Sequence, residues 1–334
     1  METRKVTRRQ FIRDGAMVAA GVAAGLSTTA KAAGSQALDT SKILNYNPDM
    51  EYRRLGKANI MISAVGLGGH SRANEEERHE IVSRCLDIGI NYIDSTGSGE
   101  LRRDLKALAG RRERVYLGIS ETGREPRNPE YRTANKLIEV LDEMLRGAKL
   151  DYTDIWRITM YEPGGRHTFD TSCEVVGALQ KAKKEGKARY VGLSSHDRRW
   201  FKFMIEYFPE LEVVLFPFTT MSKAAPKDSL FESLKKCDVG AFGIKPFAAA
   251  SLFTGNPEED DRRGRLAIRY ILHSNTVIPI PGIGAATEVD NLAKALMERR
   301  ELDVKERAEL ETASGEMWAN LSPKYQWLRE WEYV

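Results

Sequence analysis

Between residues 62 and 299 one pattern recurs eight times: a short apolar run, then a segment with apolar residues at helical spacing. The runs fall at 62–67, 91–94, 115–119, 154–159, 190–194, 213–218, 239–245 and 277–280. Helix-spaced segments lie at 75–87, 100–108, 129–147, 172–185, 200–207, 229–236, 262–273 and 288–299. The first of these carries Ile81, Val82, Cys85 and Leu86 on one face and stops at Gly89; the third carries Leu137, Ile138, Leu141 and Leu145. Short apolar strands alternating with helices imply right-handed βαβ units and a parallel sheet covered on both faces. Eight such units in a chain of 334 residues predict one α/β domain, a (β/α)8 TIM barrel. The alternative is an open doubly wound sheet. Against it, Gly66-Leu67-Gly68-Gly69-His70 after the first run is not the G-x-G-x-x-G turn of that fold.

The first 32 residues break the pattern. Arg4, Lys5, Arg8, Arg9 and Arg13 precede an Ala/Gly-rich stretch over 15–30, and Ala30-Lys31-Ala32 supplies an A-x-A cleavage site. The run Thr7-Arg8-Arg9-Gln10-Phe11-Ile12-Arg13 resembles a twin-arginine (Tat) export signal; an amphipathic N-terminal helix is the blander reading. The division expected is a signal peptide at 1–32, a polar linker at 33–50, the barrel at 51–300, and a C-terminal helix with an aromatic tail at 301–334. The expected partner is the Tat machinery, engaged through Arg8 and Arg9, and the expected location is periplasmic or otherwise extracytoplasmic. The apolar stretch is too short and too poor in Leu to leave a stable membrane span. Residues 1–32 hold six basic and two acidic residues, so of 51 basic and 48 acidic side chains the remainder keeps 45 and 46. That neutral balance excludes a nucleic-acid surface as the default. Cys85, Cys173 and Cys237 are far apart and form no Cys/His cluster, so neither a metal nor an iron–sulfur cluster is expected.

Several stretches together resemble the aldo/keto reductase family over nearly all of 51–300. They are Tyr52-Arg53-Arg54-Leu55-Gly56 with Ser63-Ala64-Val65-Gly66-Leu67-Gly68; Gly89-Ile90-Asn91-Tyr92-Ile93-Asp94; Leu150-Asp151-Tyr152-Thr153-Asp154-Ile155; Gly186-Lys187-Ala188-Arg189-Tyr190-Val191-Gly192-Leu193-Ser194-Ser195-His196; and Ile280-Pro281-Gly282 with Glu288-Val289-Asp290-Asn291. Lys245-Pro246-Phe247 after the seventh run is similar to one branch of that family. The resemblance implies a barrel that reduces carbonyls with a nicotinamide cofactor, NAD(P), bound tightly here because exported proteins are not resupplied with it. It implies cofactor contacts at Ser194, Ser195, Lys245, Gly282 and Asn291.

The resemblance also implies a Tyr–Lys–His–Asp tetrad, in which the Tyr protonates the carbonyl oxygen and the His polarises it. Only the Asp is matched, as Asp94. The loop Asp94-Ser95-Thr96-Gly97-Ser98-Gly99-Glu100 contains no Tyr, Ser120 stands where the Lys belongs, and Thr159 stands where the His belongs. Leu215 and Ile244 replace the family's Gln and stacking Tyr at the cofactor, and no basic residue for a 2′-phosphate stands near Thr287 or Glu288. Arg157 shares strand parity with Thr159 and is expected to reach Asp94 across the space left by Ser120. Asp94, Thr159, Ser120 and Arg157 are therefore the catalytic candidates; the blander reading of Asp94 is a buried carboxylate paired with an arginine, and that of Lys245 a structural lysine. His70, His167 and His196 lie after strands on the active-site face and are candidate acids; each is otherwise an ordinary loop or family-typical residue.

Two functions lead on these residues, with non-redox chemistry at the same mouth as a third. One is an exported oxidoreductase acting on a small polar, sugar-like carbonyl or hydroxyl compound through a non-standard site. The other is a catalytically degenerate barrel that binds a small polar ligand in the envelope. The tail WANLSPKYQWLREWEYV, from Trp318, holds three of the five tryptophans. It is expected to pack back on the barrel rather than stand exposed.

Overall fold

The computed structural model describes residues 39–160, 167–222 and 230–331; the segment read as an export signal lies outside them. Strands β1 (Tyr52–Arg54) and β2 (Met61–Ser63) form an antiparallel hairpin. Then follow α1 (Glu75–Asp87), β3 (Tyr92–Ser95), α2 (Ser98–Ala107), β4 (Tyr116–Ile119), α3 (Ala134–Ala148), β5 (Thr153–Met160), α4 (Phe169–Lys184) and β6 (Ala188–Ser195). The chain continues through α5 (Arg198–Tyr207), β7 (Val213–Pro217), α6 (Leu230–Lys236), β8 (Gly240–Ile244), α7 (Pro257–Ser274), β9 (Ile278–Pro279), α8 (Ala286–Met297) and α9 (Val304–Ala319).

Strands β3 to β9 pair in parallel, in chain order. The ring closes through residues 66–68. Gly66 N and Gly68 N donate to the Pro279 and Pro281 carbonyls at 3.0 and 2.8 Å. On the other side Leu67 N donates to Tyr92 O at 2.9 Å, and Asp94 N donates to Leu67 O at 2.8 Å. The structure is therefore a (β/α)8 barrel whose eighth wall strand is very short. The apolar run at 62–67 is not one strand but two pieces. Its first part belongs to β2, and only its end reaches the wall. Gly68 makes the closure possible, because a Cβ there would stand 2.4 Å from Ile280 O.

Alternation along each strand sorts the core into two layers. Leu55, Ala58, Ile60 and Ile62 of the hairpin region join Tyr92, Tyr116, Ile155, Val213, Leu215, Phe242, Ile278 and Ile280 in one buried cluster. This is the barrel interior, plugged at the end where the strands begin. The larger cluster lies between sheet and helices and contains Ile93, Leu117, Trp156, Ile158, Val191 and Leu193 with the inner faces of α1, α3 and α4. Each such side chain contributes roughly 1.5–3 kcal/mol on burial. Helix starts are set by side chains. Asn74 accepts from Glu76 N and Glu77 N at 3.0 Å, and the Glu77 carboxylate returns the bond to Asn74 N. Asp303 starts α9 in the same way.

Residues 40–50, within the segment read as a linker, are bonded to the barrel. Asn45 Nδ2 donates to the Leu86 and Ile90 carbonyls at 2.8 and 2.9 Å, and Ile43 and Met50 are buried. At the other end, α9 leads into a 3-10 stretch (Pro323–Trp331). Leu321 and Leu328 are buried there with Ala248, Leu252, Ala313 and Met317. No helix among the described residues is long and apolar enough to cross a membrane.

Candidate functional site

The carboxyl ends of barrel strands carry the chemistry of this architecture, and here they hold a buried polar cluster. Asp94 ends the inward face of β3. Arg157 on β5 donates Nε to Asp94 Oδ1 at 2.9 Å and Nη2 to Oδ2 at 2.6 Å, a two-pronged pair in which both side chains are about 3% exposed or less. The contact expected between them is present. Tyr92, two residues earlier on the same face, donates its hydroxyl to Asp94 Oδ1 at 3.0 Å. Gly118 on β4 makes room for that ring, since a Cβ there would lie 2.2 Å from Tyr92 Oη. Arg157 Nη1 also donates to Thr159 Oγ1 at 3.3 Å. Burial works against the Arg157 charge, but Asp94 outweighs it and holds the guanidinium pKa above its ordinary value. Burial, then the Asp94 charge, push the Tyr92 hydroxyl far above the usual tyrosine range. Tyr92 is thus a fixed donor to Asp94 and a poor source of protons.

Ser120, at the end of β4, is fully buried, and its Oγ has no hydrogen-bond partner among the described residues. The loop that follows β4 adds Glu125, which was not a sequence candidate. Its side chain is 2% exposed, and its Oε2 likewise has no partner among the described residues, while Oε1 accepts from Glu121 N at 3.3 Å. Burial pushes its pKa up to about 7, against the opposing pull of Arg157 and of hydrogen bonds from Thr159 and from the Glu121 backbone. No motif pointed to Glu125. Its only signal was its place in a loop on the active-site face.

The tail covers another part of the mouth. The Trp327 ring stacks on His196 with centroids 3.8 Å apart and planes 19° from parallel. Lys245 Nζ sits 5.8 Å from the Tyr325 ring and 5.9 Å from the Trp327 ring. Burial, helped by the Arg157 charge, lowers the Lys245 pKa to about 8. Burial foremost, then Lys245 and Arg127, lower that of His196 to about 2. His196 therefore stays neutral and is unsuited to donate a proton. His167 is buried with its ring 6.1 Å from Trp200, and His70 is exposed.

Apart from Lys245, beside the tail rings, the residues assigned to a cofactor separate into three groups. Ser194 pairs in register with Thr159 and shares its inward parity, which brings it to the mouth. Ser195 alternates to the helix side, where its Oγ accepts from Asp197 N at 3.1 Å, so the structure does not bring it to the mouth. Gly282 and Asn291 line a cavity of about 270 Å³ with Phe253, Asp261, Arg265 and Glu288. In it, Asn291 accepts from Arg265 Nη1 at 2.6 Å and donates to Asp261 O at 2.9 Å. Leu215 is buried in the barrel interior and Ile244 is packed against it.

The aldo/keto reductase family model matches residues 59–265. The chain belongs to the aldo/keto reductase family. It is 27% identical over 229 residues to L-galactose dehydrogenase of Arabidopsis thaliana, spanning 63% of this chain and 69% of that one. It is 27% identical over 234 residues to L-glyceraldehyde 3-phosphate reductase of Escherichia coli, spanning 62% and 64%. The fold is similar to that of an aldo-keto reductase from Bacillus halodurans in its holo form, with a TM-score of 0.62 at 22% identity over 79% of this chain and 96% of the other. Aldo/keto reductases use NAD(P)H, and the residues here fit a dinucleotide. There is a cavity beside Gly282 and Asn291, Ser194 stands at the mouth, and two buried polar atoms there, Ser120 Oγ and Glu125 Oε2, have no hydrogen-bond partner among the described residues. Among the described residues no group of His, Cys, Asp and Glu is placed to hold a metal ion.

Proposed function

We propose that this protein is an exported, NAD(P)-linked oxidoreductase that acts on a small polar, sugar-like carbonyl or hydroxyl compound. The observation that carries the reading is the mouth itself: a fixed Asp94–Arg157 pair and two unsatisfied polar atoms, with the rings of Tyr325 and Trp327 close by. Polar groups beside aromatic faces suit a polyol. Two relatives, named as an L-galactose dehydrogenase and an L-glyceraldehyde 3-phosphate reductase, point to the same class of compound. The cofactor, when bound, supplies or accepts hydride. Gly282 and Asn291 would hold its adenosine end, and Ser194 its nicotinamide end. Arg157 presents fixed donors to substrate oxygens, and Asp94 with Tyr92 keeps Arg157 in place. Export by the twin-arginine route, read from Arg8 and Arg9, carries folded proteins, and it goes with a cofactor retained rather than exchanged.

The cofactor cavity favours NAD over NADP. Glu288 Oε2 accepts from Gly284 N at 2.8 Å, so a carboxylate occupies the start of the α8 loop. Asp260 and Asp261 add two more carboxylates to the lining. The one lining guanidinium among the described residues, Arg265, is engaged by Asn291 and by Glu298 at 3.1 Å. A 2′-phosphate would meet carboxylates there, whereas a 2′-hydroxyl would meet acceptors.

The competing reading, an envelope binding protein, is favoured by Ser120 and Thr159, since neither side chain can donate a proton near neutral pH. One experiment separates the two. The purified protein is denatured and its supernatant analysed by mass for NAD(P), and the intact protein is then mixed with NADH and glyceraldehyde. A bound dinucleotide and its oxidation by the aldehyde support the oxidoreductase. Polyol binding with neither dinucleotide nor turnover supports the binding protein.

A further inference from the structure

The family reaction needs a group that delivers a proton to the carbonyl oxygen, and the residues that serve in relatives are not at Ser120, Thr159 or the loop after Asp94. Other titratable groups that the structure brings to this mouth can be weighed. His70, in the loop before α1, is exposed, and its imidazole is held below its ordinary pKa by partial burial foremost and then by the Lys245 charge. Asp94 is bonded by both oxygens to a guanidinium that cannot release a proton. Tyr92 is buried beneath it and committed to Asp94. His196 is covered face-on by Trp327. Lys245 lies near the Tyr325 and Trp327 rings, in a left-handed backbone turn with φ 55°. Glu125 differs from all of these. It is buried to 2% exposure, has one carboxyl oxygen tethered to its own loop, and has the other without a hydrogen-bond partner among the described residues. Ser120, five residues earlier, also holds a buried oxygen without a hydrogen-bond partner among the described residues. Buried polar atoms without partners call for an explanation, and at the carboxyl ends of barrel strands a catalytic role is one of them.

Resting on the oxidoreductase reading, we propose that Glu125 is the acid–base catalytic residue of this protein, its free carboxyl oxygen meeting the reacting oxygen of the substrate with Ser120 Oγ as a second contact. In the reducing direction, hydride from a reduced nicotinamide dinucleotide forms the new C–H bond at the carbonyl carbon. The C=O π pair takes the Glu125 proton to form the O–H bond. Glu125 is left as a carboxylate and regains its proton from water. In the oxidising direction the same two bonds break, with hydride passing to the oxidised dinucleotide and the hydroxyl proton to the Glu125 carboxylate. The charged and titratable groups around Glu125 are consistent with this role. Arg157 from β5 favours the carboxylate, Asp94 from β3 neutralises much of that pull, Glu121 contributes a backbone donor from the same loop, and Thr159 adds hydrogen bonds. Burial then holds the group protonated up to near neutrality, with a pKa of about 7.

The test uses the full chain and two readouts. Infrared difference spectra of protein carrying ¹³C-labelled glutamate assign a protonated-carboxyl band to Glu125 by its loss in Glu125→Gln. The expected band titrates near pH 7 and shifts when glycerol, as a product-like polyol, is added with NAD. A band absent at pH 5 and above, or one indifferent to glycerol, overturns the proposal. With NADH and glyceraldehyde, Glu125→Gln is expected to lower kcat by about 10²–10⁴ with KM changed only a few-fold, and to abolish the pH-dependent limb near 7. Glu125→Asp restores part of the rate. Wild-type kcat and pH profile in Glu125→Gln overturn the proposal while leaving the oxidoreductase standing. Absence of dinucleotide from the purified wild-type protein together with failure to bind added NADH, read by tryptophan-to-nicotinamide energy transfer, overturns the oxidoreductase reading itself.

Discussion

The Asp94–Arg157 pair sets the clearest energetic expectation. Both side chains are nearly sealed from water, at 2% and 3% exposure, and are joined by bonds of 2.9 and 2.6 Å. Replacing Arg157 by Ala would leave the Asp94 carboxylate buried with one remaining side-chain donor, the Tyr92 hydroxyl at 3.0 Å. Breaking a buried pair from one side costs about 3–5 kcal/mol, because the surviving charge is uncompensated. With a urea m-value of about 3 kcal/mol/M, at the upper end of the usual range, the unfolding midpoint should fall by about 1–2 M. Asp94→Asn should be costly for the mirror reason, leaving the guanidinium with the Thr159 hydroxyl at 3.3 Å. The double variant Asp94→Asn with Arg157→Leu buries neither charge, so its cost should fall well below the sum of the single costs. Urea unfolding followed by far-ultraviolet circular dichroism reads all three variants. If Arg157→Ala costs under about 1 kcal/mol, the level of an exposed pair, or if the double variant is simply additive, the pair is not the closed electrostatic unit described.

Three further expectations are simpler. The raised pKa of Glu125 means that the folded chain binds a proton more tightly there than the unfolded chain does, so this group's contribution to stability is full below about pH 4.5 and is lost as pH rises through about 7; Glu125→Gln should flatten that part of the stability–pH curve and leave the variant the more stable protein at pH 8, by up to about 3 kcal/mol, with an unchanged curve counting against a neutral buried carboxyl. Glu288→Arg should move the ratio of NADH to NADPH dissociation constants toward NADPH by about tenfold or more, given that like charges about 4 Å apart cost ~1–4 kcal/mol; an unaltered ratio by fluorescence titration would remove the acidic rim as the selective element. Replacing Arg8 and Arg9 by Lys should keep the protein in the cytoplasmic fraction, and continued export would assign it to another route.

Much of this architecture was legible because two periodicities with simple causes wrote it. Alternating residues on β3 and β5 placed Asp94, Arg157 and Thr159 on one side before any coordinate was known, and the segment at 75–87 ends where α1 ends. The closure of the barrel was not legible. Residues 66–68 are a wall strand by virtue of backbone bonds alone, and glycines chosen for close approach look like loop in a hydropathy pattern. The starts of α4 and α7 also precede the apolar periodicity, since Thr168 and Asn256 cap first turns that are largely polar. Ser195 turns to the helix side for a plainer reason. A motif gives adjacent residues the same importance, whereas a strand sends them to opposite faces. Glu125 escaped altogether, because nothing in a loop's sequence shows how deeply the fold will bury it.

The replacements at the mouth make sense only as a set. A lysine beside an aspartate can exchange protons and can lower the pKa of a neighbouring tyrosine. An arginine in the same place cannot be deprotonated, but it offers two parallel donors and a fixed plane. With Arg157 reaching Asp94 from β5, the position at the end of β4 no longer needs a cation, and Ser120 leaves room there without exposing an unpaired carboxylate. That exchange places beside Asp94 a cation that does not give up its proton. It also strips the pair of any part in proton transfer. A proton donor for this mouth must then be a group outside the pair that carries a proton near pH 7. Glu125 is such a group: Arg157 acts on it, but burial acts more strongly, and its Oε2 has no hydrogen-bond partner among the described residues. The loss of the family's tyrosine and the burial of a loop glutamate are, on this reading, two sides of one rearrangement around Arg157.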